Sequence, residues 1–264
     1  GDLICYGAKN VESPLVDKLA SEGMRFTNAH TVAATSTPSR YSLLTGEYAW
    51  RRPDTDIAAG DVKMIIRPEQ YTMADMFKSA GYATAAIGKW HLGLGDKTGG
   101  QDWNAPLPAA LGDLGVDYHY IMAATADRVP CVFIENGKVA NYDPSDPIEV
   151  SYTKNFPGEP TGKDNPELLY NLHPSNGHDM SIVNGISRIG FMKGGGKALW
   201  KDENIADSIT PFMPSTLSNS IKTSLSLCIL QPMMYTFLVF PMTASVERIL
   251  WDYAETQSPN STGR

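Results

Sequence analysis

Apolar positions recur at helical spacing near the start of the chain, where Leu15 and Leu19 lie between Ser13-Pro14 and Gly23. A serine cap, a proline at the first helical position and a glycine stop predict a helix over Pro14–Glu22. Residues 24–27 then read as a short strand leading into a Ser/Thr-rich loop. Pro38 has no N–H and a fixed φ, which suits the first turn of a second helix; residues 39–44 continue it and Gly46 stops it. A third helix is predicted over 72–79, capped by Thr72 and closed by Gly81. It feeds a strand over 82–87, whose Ala-Thr-Ala-Ala-Ile run suits a packed interior. The alternation of helix and strand predicts an α/β fold with a mostly parallel sheet.

Further along, residues 116–121 alternate as a strand, and residues 131–139 read as a hairpin turning at Asn136-Gly137. Residues 141–165 are rich in Pro, Gly and Asp and read as loop, with Asp143 and Asp146 solvating it rather than forming an EF-hand. Gly194-Gly195-Gly196-Lys197 resembles a phosphate loop only superficially, because Ala198 stands where that pattern needs Ser or Thr. Residues 203–209 begin another helix, after which neither a helical nor an alternating period continues.

Composition changes this picture little. With 42% hydrophobic and 19% charged residues in 264, the chain is globular, of one large domain or two small ones. A net charge of -7 without a long basic run excludes a nucleic-acid binder. Cys5, Cys131 and Cys228 show neither metal-ligand spacing nor a disulfide framework. Residues 223–243 are apolar enough to suggest a membrane span; the reading of the tail below removes that span.

The chemistry concentrates in two stretches. Ser36 falls at or just before a helix N-terminus, where free N–H groups and the dipole favour an anion, and Arg40 one turn on can reach back to it. Taken alone, the pattern is more often a Ser/Thr-rich helix cap with a surface Arg. Lys89 and His91 leave the carboxyl end of the 82–87 strand, where open α/β sheets place ligands, and share a face if the chain stays extended. A polar strand exit is the plain alternative.

Ser36-Thr37-Pro38-Ser39-Arg40, followed by Leu43-Leu44-Thr45-Gly46, resembles the signature of the type I sulfatases, and Gly88-Lys89-Trp90-His91-Leu92-Gly93 resembles their second motif. The resemblance covers roughly residues 1–209 and is specific at these two motifs. It implies an alkaline-phosphatase-like fold, a mostly parallel sheet sandwiched by helices and here incomplete. It implies that Ser36 is oxidised to formylglycine by a radical-SAM maturase, as in the serine-type, mostly bacterial members. The aldehyde hydrate would then attack a sulfate ester of a carbohydrate or an aryl alcohol. Arg40 would hold the hydrate, Lys89 would bind a sulfate oxygen, and His91 would assist proton transfer. A Ca²⁺ ion with the residue at Ser36 among its oxygen ligands is implied as well. His178, in a run similar to carbohydrate-active bacterial sulfatases, is the candidate substrate contact, with a structural histidine as the equal alternative.

The family carries two metal-binding aspartates just before a segment like Gly1-Asp2 to Tyr6-Gly7, so the resemblance also implies a first strand and an export signal upstream of this chain, in a periplasmic or secreted parent. Two other functions are compatible with the residues: a phosphoric or phosphonic ester hydrolase of the same superfold, and a non-catalytic binder of sulfated glycan.

Beyond residue 209 the family likeness ends, and the tail is readable in another frame. Residues 229–239 can be encoded so that the bases, read one earlier, give Y-F-A-T-N-D-V-H-V-P-R, similar to a family strand that carries a further active-site His. The expected organisation is a partial catalytic domain over 1–210 and an out-of-frame tail over 211–264, without a membrane span. The chain as written is then expected to be inactive, because most of the calcium shell falls outside it.

Overall fold

The computed structural model describes residues 3–10, 12–210 and 226–231, the last as backbone. Its contacts divide the chain into two units, Gly1–Thr31 with Met242–Arg264, and Val32–Pro241. In the first unit α1 (Pro14–Glu22) forms as its punctuation predicts and ends where the Gly23 N–H meets the Leu19 carbonyl. Ser13 stands at the cap position, but its hydroxyl donates to Asp17 at 3.0 Å instead of capping an amide. Residues 24–27 are not the expected strand. Met24 and Phe26 are exposed, no ladder partner is present among the described residues, and the stretch is tied down by a Tyr6 hydroxyl bond to the Phe26 carbonyl.

The second unit is built on β1 (Ala83–Lys89), which lies parallel to β2 (Tyr118–Met122) on one side and to β9 (Ser226–Gln231) on the other. β3 (Phe133–Glu135) and β4 (Lys138–Val139) extend the β2 edge antiparallel, giving the order β4-β3-β2-β1-β9. The α/β expectation therefore holds, with a parallel centre and an antiparallel edge. β1 is buried at every position but its two ends, and β2 is buried after Tyr118. The alternation expected over 116–121 is absent because a strand paired in parallel inside a covered sheet is buried on both faces. The hairpin turns at Asn136 and Gly137 with φ of 45° and 80°, the left-handed pair a two-residue turn requires. The buried His119 locks it, its Nε2 accepting from the Gly137 N–H at 2.8 Å.

Two short pairings complete the described part. β5 (Glu149–Ser151) pairs with β8 (Phe191–Lys193), and β6 (Ile182–Val183) turns at Asn184-Gly185 into β7 (Ile186–Ser187). β5 lies inside the stretch expected to be loop, because its partner is some forty residues away and leaves no local period. The helices are α2 (Ser36–Thr45), α3 (Met73–Ser79) and α4 (Ile205–Ile209). α3 starts in a capping box: the Asp75 N–H donates to the Thr72 hydroxyl while the Asp75 carboxylate accepts from the Thr72 N–H.

β9 falls inside the stretch read as out of frame; residues 211–225 and 232–264 of that reading lie outside the described residues. Among the described residues no helix is long and apolar enough to cross a membrane.

One buried ion pair ties the later strands to the sheet. Arg188, 1% exposed, donates to both Asp202 oxygens at 2.9 and 2.6 Å and to the carbonyls of Ala126 and Val183. Removing one partner of such a pair leaves a buried charge uncompensated, at about 3–5 kcal/mol. Arg188→Met is expected to lower unfolding stability by that amount in a urea titration; a loss below about 1 kcal/mol would contradict the role given to the pair.

Candidate active site

Ser36 is the first residue of α2, so its hydroxyl sits where the helix leaves its N–H groups unpaired. Arg40, one turn later, donates from Nε to Ser36 Oγ at 2.7 Å and from Nη1 to the Lys89 carbonyl at 3.1 Å. The helix thereby grips the end of β1. Lys89 closes that strand, and His91 follows two residues on.

The shared face expected of Lys89 and His91 does not form as an extended strand. His91 has φ of 60°, a left-handed conformation that costs a non-glycine residue on the order of 1–3 kcal/mol. Four hydrogen bonds hold it there. Its N–H donates to the Ala123 carbonyl at 3.1 Å, its carbonyl accepts from the Thr37 hydroxyl at 3.1 Å, and its two ring nitrogens meet Ser36 Oγ at 3.0 Å and the Ala58 carbonyl at 2.8 Å. A carbonyl only accepts, so Nε2 carries the ring proton in the neutral imidazole and Nδ1 is left as the acceptor for the Ser36 hydroxyl.

The turn after His91 is pressed against residues 62–65. Ile65 N–H donates to the Leu92 carbonyl and Leu94 N–H to the Val62 carbonyl. Gly93, at φ of 73°, has no room for a Cβ, which would fall 2.0 Å from the Lys63 carbonyl oxygen.

These elements open onto a cavity of about 570 Å³ whose lining includes Ser36, Lys89, His91, Asp127, Arg128 and Leu172. Three of the predicted residues, Ser36, Lys89 and His91, face it directly, with Arg40 behind Ser36. His178 is not beside Ser36. Its Nε2 meets Asp127 Oδ2 at 2.9 Å, so it reaches the cavity through a carboxylate that lines the wall. Arg128 donates to the same carboxylate at 3.1 Å and to the Thr125 hydroxyl at 2.9 Å. Asp127, Arg128 and Ala58 went unnoticed in the sequence, and Thr37 stood in the first motif without a role of its own. Asp127-Arg128 carried a usable signal, an adjacent pair of opposite charges just past the carboxyl end of a parallel strand. Thr37 and Ala58 carried none.

The electrostatics are those of a site short of negative charge. Burial lowers the Arg40 guanidinium to about 9. Burial, then the charge of Arg40, lowers the Lys89 ammonium to about 8. Burial lowers His91 to about 4 against the raising effect of its Ala58 bond, with Lys89, Arg128 and Arg40 adding to the fall, so the ring is neutral. Burial pushes the Asp127 carboxyl up, but bonds from Thr125 and His178 and the charge of Arg128 outweigh it and hold it ionised. A tetrahedral anion fits this balance, because it would further favour the charged forms of Arg40 and Lys89.

Of the expected calcium shell, the described residues include one implied ligand, position 36. Ca²⁺ takes roughly 6–8 oxygen ligands, whereas Ser36 Oγ has an Arg and a His as its neighbours. Among the described residues no group of three or more His, Cys, Asp or Glu could hold a metal ion. Position 36 does fit an aldehyde hydrate, since an oxygen there has a donor on one side and an acceptor on the other.

Residues 1–145 match a family model described as Sulfatase. An N-acetylgalactosamine-6-O-sulfatase of Bacteroides thetaiotaomicron is 56% identical over 210 residues, 80% of this chain and 41% of the relative. The steryl-sulfatase of Mus musculus is 45% identical over 103 residues, 36% of this chain and 16% of that protein. Among solved structures, a Bacteroides thetaiotaomicron sulfatase described for the metabolism of multiple glycosaminoglycans superposes with a TM-score of 0.82 at 52% identity, covering 86% of this chain and 47% of its own. The chain thus spans less than half the length of these relatives.

The crowding of cations predicts a titration. The Lys89 ammonium, followed by side-chain NMR, is expected to lose its proton with a midpoint near 8 and to shift upward as inorganic sulfate is added. A midpoint at the ordinary 10.5, unmoved by sulfate, would contradict the electrostatics described.

Proposed function

We propose that the intact protein carrying this chain, which belongs to the sulfatase family, hydrolyses sulfate esters of carbohydrates at the Ser36 site. Its fold is the alkaline-phosphatase-like α/β fold of that family. The observation that carries the proposal is the placement of Ser36 Oγ between Arg40 Nε at 2.7 Å and His91 Nδ1 at 3.0 Å, on a helix N-terminus facing the cavity.

Formylglycine at position 36, made from Ser36 by a radical-SAM maturase, supplies a nucleophilic geminal hydroxyl through its hydrate. The residues around it do the rest. Arg40 donates to the oxygen at position 36 and holds it against the helix N-terminus. His91 Nδ1, kept free of a proton by the Ala58 carbonyl on the other nitrogen, accepts the proton of that hydroxyl. Lys89 and the first amides of α2 meet the sulfate oxygens and offset the charge that builds on them. Asp127, with Arg128 and His178 on either side, presents acceptors and donors to the sugar hydroxyls across the cavity. Calcium belongs to this reading through family likeness alone, and position 36 is the ligand that the described residues offer. A periplasmic or secreted location follows from the same likeness. The 56% identity to an N-acetylgalactosamine-6-O-sulfatase supports a 6-sulfated N-acetylgalactosamine as the substrate.

The test is inorganic sulfate release from such sugars by the intact protein, made alongside the maturase. Ser36→Ala is expected to abolish release, His91→Ala to lower kcat by about 10²–10⁴, and Lys89→Ala to act chiefly by raising KM. In the pH profile, kcat/KM is expected to fall below about 4, as His91 gains its proton, and above about 8, as Lys89 loses its own. Sulfate release that survives Ser36→Ala, or faster release of phosphate from the matching phosphate ester, would overturn the proposal.

A further inference from the structure

We propose that Thr37 is a positioning residue that locks His91 into the one tautomer able to accept a proton from position 36. The inference rests on the roles given above to Ser36 and His91. Thr37 is fully buried, so its hydroxyl neither meets solvent nor contacts a substrate. That hydroxyl joins two segments distant from one another in sequence, the second motif at His91 and a stretch at Ala58 that lies in neither motif. It donates to the His91 carbonyl at 3.1 Å and accepts from the Ala58 N–H at 3.1 Å. The Ala58 carbonyl in turn accepts from His91 Nε2 at 2.8 Å.

The three residues thus close a ring: Ala58 N–H to the Thr37 hydroxyl, that hydroxyl to the His91 backbone, and the His91 ring back to Ala58. Each donor and acceptor in the ring has a single polarity that works. The Ala58 carbonyl demands a proton on Nε2, and Nδ1 is thereby left bare toward Ser36. The ring also has to hold His91 at φ of 60°, which its side chain does not favour. Without the hydroxyl, both the His91 carbonyl and the Ala58 N–H would be buried without that partner, and the turn would gain by relaxing. Moving Ala58 away from the ring removes the group that chooses the tautomer. The residue next to the nucleophile therefore acts on the far nitrogen of the base, through a loop that neither motif contains.

The experiment compares wild type with Thr37→Val, close to isosteric, and Thr37→Ser, which restores the hydroxyl. Imidazole ¹H–¹⁵N correlation spectra of the full chain with unmodified Ser36 read the tautomer directly, with His91→Gln used only to assign the signal. Wild type and Thr37→Ser are expected to show a single Nε2–H form with a slowly exchanging proton. Thr37→Val is expected to show both tautomers in exchange. In the active protein, Thr37→Val is expected to lower kcat about tenfold with KM within about twofold, and Thr37→Ser to recover it. A single Nε2–H form and an unchanged kcat in Thr37→Val would overturn the proposal. So would a lowered melting point with the tautomer of the folded protein unchanged, which would make Thr37 merely structural. If wild type shows the locked tautomer but releases no sulfate from any ester, the hydrolase reading fails and the positioning claim stands.

Discussion

Ser36 Oγ is held from both sides, by the fourth residue along its own helix and by a histidine that has just left the central strand. That double grip depends on the parallel packing of the sheet. Burying β1 on both faces sends its carboxyl end out beneath the N-terminus of α2, and Arg40 fastens the two by bonding the last carbonyl of the strand as well as the serine. The rest of the second unit serves this junction. The 62–65 segment presses the turn after His91 into place, and the Arg188-Asp202 pair, through the Ala126 carbonyl, holds the segment that carries Asp127 and Arg128. A strand end, a helix start and two buttressed loops therefore converge on one cavity.

The energetic character of the junction follows from what is crowded into it. Arg40, Lys89, Arg128 and Arg188 approach one cavity with Asp127 and Asp202 among them, and burial weakens the hold of Arg40 and Lys89 on their protons. His91 adds backbone strain and stays neutral. Such an arrangement is unfavourable in the free protein and is relieved by an anion, which is how a binding site stores its preference for one. In the proposed reaction, a neutral base beside a cation-lined anion pocket would separate two tasks that conflict in one group, binding by the cations and proton movement by the imidazole.

What was legible in the sequence was local. The helix that begins near Ser36, its stop at Gly46, the Thr72 cap and the Asn136-Gly137 turn each rest on a residue type with one strong conformational preference, and each formed. Ser36, Arg40, Lys89 and His91 were readable for a similar reason, as two short motifs that each lie on one element or its exit. What failed was either an edge-like apolar run without a partner, as at 24–27, or a pairing between distant segments, as for β5 with β8. His178 shows the middle case: it reaches the cavity, but through Asp127, a contact 51 residues away that no spacing encodes. The left-handed backbone of His91 was invisible for the same reason, since its bonds to Thr37, Ala58 and Ala123 come from three separate stretches.

The most direct test of the central claim, that position 36 is the reacting atom, is mass spectrometry of the peptide carrying it, in preparations whose sulfate-releasing activity is measured in parallel. The expected result is an aldehyde at position 36, two hydrogens lighter than serine and trapped by a hydrazine reagent, in a fraction that rises and falls with activity as maturase is supplied or withheld. Full activity in a preparation whose Ser36 is unmodified throughout would contradict it.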